Sequence, residues 1–196
     1  MGTKFSTRVW VSVVGIASIF FGSKGYADTV ISVADFGLKP DTRENAVAYV
    51  QKAIEACRGK EPVTLVFPEG RYDFWPQYAH EKNYYETNTY DVFPKRLAML
   101  FEGLHNITVD GNGSQFVMHD RIQPITVENC DGVTLKNFSI DWDIPLTAQA
   151  RVTKVGSDFF EIEINVLESP YIIEDGKLVF VGEGWKSALG SMIEFE

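Results

Sequence analysis

The order of apolar and polar residues predicts a strand, a helix and a second strand at the start of the folded chain. Apolar residues alternate with polar ones in 31–37 and again in 63–67, which is the pattern of β-strands. Between them, four apolar residues of segment 46–57 recur at the spacing of one helix face: Val47, Val50, Ile54 and Cys57. This spacing predicts a short amphipathic helix.

From residue 98 onward the pattern repeats at an interval of 26 residues, with segment 98–111 lying over segment 124–137. The matched positions are Met99 with Ile125, Phe101 with Val127, Glu102 with Glu128, Ile107 with Val133 and Val109 with Leu135. A period in the twenties, with Gly, Asn and Asp at the turns, is typical of a stacked β-solenoid. An antiparallel sandwich also produces such alternation and stays open as an alternative. The matched glutamates would repel each other, so both are expected to point outward.

After Pro145 the strands become longer and are separated by hairpin-like breaks. The predicted strands are 147–155, 158–166 and 177–182, and the breaks are 156–157 and 174–176. These features predict an antiparallel meander or small barrel inserted after the second repeat. The last residues have the pattern of another strand, and the chain is therefore interpreted as a fragment.

The first 27 residues have the features of an export signal. Lys4 and Arg8 precede an apolar run, 9–22, and small residues at 25 and 27 suit cleavage by a signal peptidase. The run is short for a membrane span, so a cleaved signal is favoured over a retained anchor. Since no cysteine lies near the cleavage point, a lipid anchor there is excluded. The protein is predicted to be secreted or periplasmic.

Together these patterns divide the chain into three parts. Residues 1–27 are the signal peptide, residues 28–145 are the cap and first repeats, and residues 146–196 are the inserted antiparallel module, which is incomplete. The formal net charge of −9 makes nucleic acid an unsuitable partner and is compatible with neutral substrates such as sugars. Cys57 and Cys130 are interpreted as buried thiols rather than as a disulfide.

The segment 139–145 has the densest set of side chains suited to sugar chemistry. Asp141 and Asp143 flank Trp142 in an alternating strand, which places both carboxylates on one face and the indole on the other. Glycoside hydrolysis uses two carboxyl groups around the scissile bond. However, residues two apart in a strand are only about 7 Å apart at Cα, so a structural role is favoured over catalysis. Asp141, Trp142 and Asp143 are predicted as substrate contacts only.

Two further groups of residues are weighed against ordinary structural roles. His119, Asp120 and Arg121 lie at a corner between repeats and are suited to bonding a glycan, although solvated turn residues are the more common outcome. Segment 71–93 is rich in rings that either stack on sugars or fill a minor core: Trp75, Tyr78, His80, Tyr84, Tyr85 and Tyr90. The three histidines form no close grouping with cysteines or carboxylates along the sequence, so no metal site and no cofactor are expected.

The residues also resemble a known family. The opening VADFGLKPD, AIEAC and VFPEGRYDF resembles the start of the pectate-lyase-like, right-handed parallel β-helix proteins. The segments LFEGLHNITVDGNGSQFVMH, NFSIDWDIPLTAQARV and LESPYIIEDGKLVFVGEGWKS resemble the α-1,3-galactosidases of glycoside hydrolase family 110. The resemblance covers roughly residues 31–190.

The resemblance implies an all-β fold, a right-handed parallel β-helix with an N-terminal cap helix and inserted β-barrel modules. It implies a secreted bacterial exo-glycosidase that removes terminal α-1,3-linked galactose, with inversion, from blood-group B type or linear α-galactosyl glycans. Family members are longer, and their catalytic aspartates are expected beyond residue 196. The chain alone is therefore expected to be inactive and marginally stable, because a solenoid of two coils leaves strand edges unpaired.

Two other functions are kept as alternatives. The first is a non-catalytic carbohydrate-binding β-helix module. The second is a polysaccharide lyase, which would need acidic calcium ligands beside a basic residue. The repeat offers Arg121 and Lys136 as bases but no convincing set of acids, so the lyase ranks last.

Overall fold

The computed structural model describes residues 29–83 and 94–188. The predicted signal peptide lies outside these residues, as do Tyr84, Tyr85 and Tyr90. Among the described residues the chain is mostly β, with one α-helix. The elements before the second repeat are β1 (Thr29–Ser32), a 3₁₀ helix (Val33–Phe36), α1 (Val47–Cys57), β2 (Val63–Val66), β3 (Arg71–Phe74), β4 (His80–Lys82), β5 (Lys95–Glu102) and β6 (His105–Met118). The later elements are β7 (Gln123–Glu128), β8 (Asp131–Trp142), β9 (Arg151–Val155), β10 (Phe160–Glu163), β11 (Tyr171–Glu174), β12 (Lys177–Gly182) and β13 (Trp185–Ala188).

Parallel pairing organises the chain up to β8. β1 pairs with β2, β2 with the first part of β6, and β3 with the last part of β6. β8 then pairs along both parts of β6. A second ladder joins β5 to β7 in parallel, and β4 adds to it as an antiparallel edge.

The two aligned segments of the repeat lie side by side in the predicted register. Met99 pairs with Ile125 and Phe101 with Val127 in the ladder of β5 and β7. Ile107 pairs with Val133 in the ladder of β6 and β8. Because these pairs are parallel, the antiparallel sandwich is wrong for this part of the chain.

The register between β6 and β8 shifts between Asp110 and Ser114. At this corner Asn112 and Gly113 adopt left-handed backbone conformations, with φ of 50° and 84°. A side chain at Gly111 would lie 2.5 Å from Cβ of Phe138 on the neighbouring strand. Glycine is therefore required for the two strands to approach each other at the corner.

The core forms where the parallel strands face α1. As predicted, four helix residues are buried at its contact face: Val47, Val50, Ile54 and Cys57. Three rings continue this core: Phe67 directly after β2, Phe116 on β6 and Phe138 on β8. The centroids of Phe67 and Phe116 are 4.7 Å apart, and those of Phe116 and Phe138 are 4.8 Å apart. The same alternation that buries these rings sends their sequence neighbours to the opposite face.

One local prediction about the opening is wrong. The strand expected over 31–37 ends at Ser32, because the Ser32 side chain accepts a hydrogen bond from the backbone N–H of Ala34 and caps the 3₁₀ helix. After β2 the chain turns quickly, because Arg71 already begins β3 and pairs with Gln115.

Beyond Pro145 the described strands are antiparallel, as predicted, but β9 and β10 are shorter than the strands predicted over 147–155 and 158–166. β9 and β10 form one hairpin, and β11, β12 and β13 form a three-stranded sheet. The predicted break at 174–176 is the turn between β11 and β12, where Asp175 and Gly176 have φ of 51° and 72°. Within the described residues these two sheets do not close into a barrel.

The matched glutamates are partly exposed, and their repulsion is offset by a cation. The Nζ atom of Lys82 on β4 donates to Oε1 of Glu102 at 2.7 Å and to Oε2 of Glu128 at 2.8 Å. The repeated acidic position therefore ties β4 to both strands of its sheet. Cys57 and Cys130 are both free thiols, as predicted. Cys57 is buried, which raises its pKa to about 11, but Cys130 is only half-buried, so the prediction of burial is wrong for it.

Candidate functional site

Three parallel strands end at the same level and bring their next residues together. Phe74 of β3 pairs with Met118 of β6, and Met118 pairs with Trp142 of β8. Two further hydrogen bonds extend the ladder, from His119 N–H to the carbonyl of Phe74 at 2.9 Å and from Asp143 N–H to the carbonyl of Met118 at 3.1 Å. Side chains that are far apart in sequence therefore meet in one charged cluster at this edge.

Asp73 and Arg71 form the centre of this cluster. They are two residues apart on β3, so both project from the face opposite to buried Tyr72. The Nε atom of Arg71 donates to both carboxylate oxygens of Asp73 at 3.0 Å, and its Nη2 atom reaches Asp143 Oδ1 at 2.6 Å. One guanidinium therefore bridges a carboxylate from β3 and a carboxylate that follows β8.

His119 connects this pair to the antiparallel module. Its Nε2 atom lies 2.8 Å from Oδ1 of Asp73, and its Nδ1 atom lies 2.8 Å from Oε1 of Glu183 in the turn between β12 and β13. Each carboxylate thus faces one ring nitrogen, and the imidazole bridges Asp73 and Glu183. The indole of Trp75 stacks on the imidazole of His119 with 3.8 Å between the centroids, so it covers one face of the imidazole ring.

Burial and charge act in opposite directions on Asp73, whose side chain has no exposed surface. Burial alone would raise the pKa of its carboxyl, but hydrogen bonds from Arg71 and His119 outweigh burial and lower that pKa. The same hydrogen bond to Asp73 raises the pKa of Arg71. Asp73 is therefore held as a carboxylate, which suits a structural ion pair and does not suit a general acid.

The predicted substrate contacts occupy three different environments. Trp142 is half-buried against the core and donates its indole N–H to the carbonyl of Asp120 at 3.2 Å, so its role in the structure is packing. Asp143 is 35% exposed and is paired with Arg71, and more distantly with Arg43 at 3.6 Å. Asp141 is exposed and accepts a hydrogen bond from the N–H of Trp142. The two carboxylates face away from the indole, as the strand alternation predicts.

The second group separates in the structure. His119 is buried and belongs to the charged cluster, so the expectation of a solvated turn is wrong for this residue. His119 is covered by the turn between β12 and β13, where its partner Glu183 lies 64 residues further along the chain. The residues next to His119 in sequence do not indicate this contact. Asp120 forms the turn with φ of 56°, and Arg121 is exposed.

The described members of the aromatic group also have different roles. Trp75 packs on His119, and His80 is exposed on β4. Tyr78 is 64% exposed. One region of sequence therefore supplies rings both to a buried contact and to the surface.

Asp73, His119 and Asp143 are residue types that bind metals, and their candidate ligand atoms lie within 4.8 Å of one another. The sequence did not show this grouping, because the three residues come from different strands. Arg71 donates to both carboxylates, so its positive charge occupies the position a cation would need. The residues present fit an ion-pair cluster and do not fit a metal centre.

Comparison with known proteins finds relatives that are named as enzymes. Alpha-1,3-galactosidase B of Bacteroides thetaiotaomicron is 60% identical over 170 residues, which cover 87% of this chain and 28% of that relative. Residues 148–196 match the family described as GLAA-B beta-barrel domain I. The chain is homologous to part of the α-1,3-galactosidases. The resemblance to the α-1,3-galactosidases is thereby confirmed.

Two further relatives of this α-1,3-galactosidase homologue come from other bacteria. Alpha-1,3-galactosidase A of Shewanella woodyi is 36% identical over 168 residues and is covered to 28% of its length. Alpha-1,3-galactosidase A of Bacteroides fragilis strain YCH46 is 34% identical over 174 residues, again covered to 28%. The chain thus spans less than a third of these curated relatives.

Arg71, Asp73 and Glu183 are the residues of this cluster that the sequence did not reveal as a site. A partial signal exists for the first two, because alternation in the segment 71–74 places them on one face. Glu183 has no such signal. Its position depends on how the antiparallel module of this α-1,3-galactosidase homologue folds back onto the parallel strands.

Within the described residues, no helix has the length and apolar character needed to cross a lipid bilayer.

Replacing Glu183 by Gln should loosen the turn between β12 and β13, because the substitution removes the charge that pairs with His119 but keeps the side-chain size. Hydrogen bonds to charged groups contribute about 1.5–3 kcal/mol, so amide exchange in residues 182–185 should accelerate at least about tenfold. Exchange is measured by mass spectrometry. Glu174→Gln, which changes an exposed pair with Lys186 in the same sheet, is the control and should leave that exchange unchanged.

Asp73→Asn should lower the free energy of unfolding at pH 7 by about 3 kcal/mol, because it leaves Arg71 and His119 without their shared carboxylate. The folded-state pKa of Asp73 lies below its unfolded value of about 3.9. The ionised form therefore stabilises the fold above that value, and the stabilisation is lost as the pH falls through the lower folded-state pKa. Urea unfolding is measured between pH 7 and pH 2. The free energy of unfolding should fall less over this range for Asp73→Asn than for the parent.

Asp158→Asn, on an exposed turn, is the control for this experiment. If the free energy of unfolding falls equally in Asp73→Asn and in the parent as the pH is lowered, the assignment of Asp73 as a structural carboxylate is contradicted.

Proposed function

We propose that this chain is the N-terminal part of a secreted exo-glycosidase that hydrolyses terminal α-1,3-linked galactose with inversion. The observation that carries the proposal is the 60% identity, over 170 residues, to a relative named for α-1,3-galactosidase activity. The same activity appears in the names of more distant relatives at 36% and 34% identity. The substrate would be a glycan ending in α-1,3-galactose, of the blood-group B type or linear.

The proposed architecture is the start of a right-handed parallel β-helix with an antiparallel module inserted after residue 145. Parallel pairing at the 26-residue interval supports successive coils, because Met99 and Ile107 each lie beside the residue one period later. α1 would cap the first coil. The match of residues 148–196 to a β-barrel domain supports a module whose barrel is closed by further strands.

The catalytic carboxyl groups are proposed to lie on later coils. An inverting mechanism needs a general acid with a raised pKa and a general base, with the two carboxyl groups about 6.5–9.5 Å apart. Asp73 and Asp110 both have lowered pKa values, which is the opposite of what a general acid requires. The described cluster would support the site by holding strand ends in place, and Asp141 would contact the sugar.

The proposal is tested with the native secreted protein, detected by an antibody against residues 28–196. Its intact mass should exceed that of this chain severalfold, and it should release galactose from an α-1,3-galactosyl trisaccharide with the β-anomer formed first in ¹H NMR spectra. Residues 28–196 alone should release none. A native protein that binds the trisaccharide without cleaving it would contradict the enzyme and favour the carbohydrate-binding module.

Asp141→Asn in the full-length enzyme should raise KM for the trisaccharide severalfold and change kcat little, because a contact made equally in the ground state and the transition state affects binding alone. Asp141 is chosen because Asp143 is tied to Arg71, so that changing Asp143 would also break an ion pair. Asp158→Asn serves as the matched control. An unchanged KM in Asp141→Asn would contradict the predicted contact.

A further inference from the structure

An open cavity of about 370 Å³ lies beside the cap helix α1, outside the charged cluster. Its lining residues are Glu44, Asn45, Ala48, Tyr49, Lys52 and Tyr78. The volume falls within the range of about 300–1,000 Å³ found for small-molecule sites. None of these residues belongs to the charged cluster, so the cavity needs its own explanation.

The backbone at the rim of the cavity is strained. Tyr78 has φ of 69°, a left-handed conformation that is costly for a bulky side chain. Two side chains hold this conformation, since Gln51 Nε2 donates to the carbonyl of Tyr78 at 2.8 Å and Asn45 Nδ2 donates to the carbonyl of Gln77 at 2.9 Å. The segment is therefore held in its strained shape by Gln51 of α1 and by Asn45, two residues before α1.

The strained backbone at Tyr78 is not offset by packing of its side chain. The ring of Tyr78 is 64% exposed, so the core gains little from it. Strained backbone is found preferentially at ligand clamps and active sites. An aromatic ring that is held at a cavity rim, at a cost and without burial, indicates a ligand-binding role.

The chemistry of the lining indicates which class of ligand would fit. Tyr49, Tyr78 and Ala48 provide apolar surface, while Glu44 and Lys52 add an acceptor and a donor of opposite charge. A hexose has a matching division, because its C–H face is apolar and its hydroxyl groups both donate and accept hydrogen bonds. The opposite charges balance, so the lining favours neither a phosphate nor a free cation.

We propose that Tyr78, Tyr49 and the polar rim of α1 form a carbohydrate-binding site, which takes a galactose-ended glycan. The choice of galactose as the ring rests on the proposed function, whereas the site itself rests on the cavity and on Tyr78. Such a site would hold the glycan near the enzyme and raise its local concentration for cleavage.

The test uses the full-length protein and lactose, whose terminal galactose is β-linked and is not a substrate for an α-galactosidase. Saturation-transfer NMR should show lactose binding to the parent. Tyr78→Gly should weaken binding at least about tenfold, and Tyr78→Phe, which keeps the ring, should stay within about threefold of the parent. Tyr171→Ala removes an exposed tyrosine on β11, outside the cavity, and should bind as the parent does. No binding by the parent, or unchanged binding by Tyr78→Gly, would overturn the proposal.

Thermal unfolding separates a binding role from a structural one. Glycine adopts the left-handed conformation without strain, so Tyr78→Gly should keep or raise Tm if the ring serves a ligand. A clear fall in Tm would mean that the ring stabilises the fold, and would count against the site. Hydrolysis of the trisaccharide is measured on the same samples. Lactose binding without hydrolysis of the trisaccharide would contradict the proposed function alone. Hydrolysis, together with lactose binding that does not depend on Tyr78, would contradict the binding site beside α1 alone.

Discussion

The parallel pairing of β6 is the interaction on which the rest of the described chain depends. β6 receives β2 along its first part and β3 along its last part, and it pairs with β8 along both. Side chains alternate along a strand, so a slip of one residue would exchange the two faces. Phe116 would then leave the core, and the strand ends would no longer bring Asp73, His119 and Asp143 together. The register of one strand thus sets both the aromatic core and the charged cluster.

The charged cluster follows from a second constraint, the cost of burying a carboxylate. An isolated buried charge is unfavourable, and it persists when paired and hydrogen-bonded. Asp73 obtains its partners from its own strand in Arg71 and from the neighbouring strand in His119. His119 in turn contacts Glu183, which belongs to the antiparallel module. The requirement to satisfy one carboxylate therefore links the parallel strands to the module that covers them.

The two functional proposals rest on two different local features: a cluster of paired charges and a strained backbone. In the cluster, opposite charges satisfy one another, which suits a rigid support and leaves little capacity for acid–base chemistry. Beside α1, the backbone of Tyr78 is strained and its side chain is exposed, so packing in the core does not offset the strain. The proposed galactosidase would use both features, the cluster as a rigid frame and the cavity beside α1 as a contact that retains the glycan.

Much of the local structure was determined by the sequence alone, because it depends on backbone periodicity. The spacing of apolar residues predicted α1, and the 26-residue repeat predicted the partners in the ladders of β5 with β7 and β6 with β8. Alternation also placed Trp142 on the face opposite to its two aspartates. One local feature was missed at Ser32, where a side-chain cap replaced the expected strand. The sequence motifs also sufficed to recognise the family.

The tertiary structure decided the roles of the charged and aromatic residues. His119 resembles a turn residue in sequence, and it is buried because a turn 64 residues later covers it. Arg71 lies 72 residues from Asp143, and only the parallel alignment of β3 with β8 through β6 brings them into contact. Tyr78 and α1 form a cavity for the same reason. Periodicity is a property of a segment and can be seen in its residues, whereas ion pairs and cavities depend on contacts between segments, which exist only once the chain has folded.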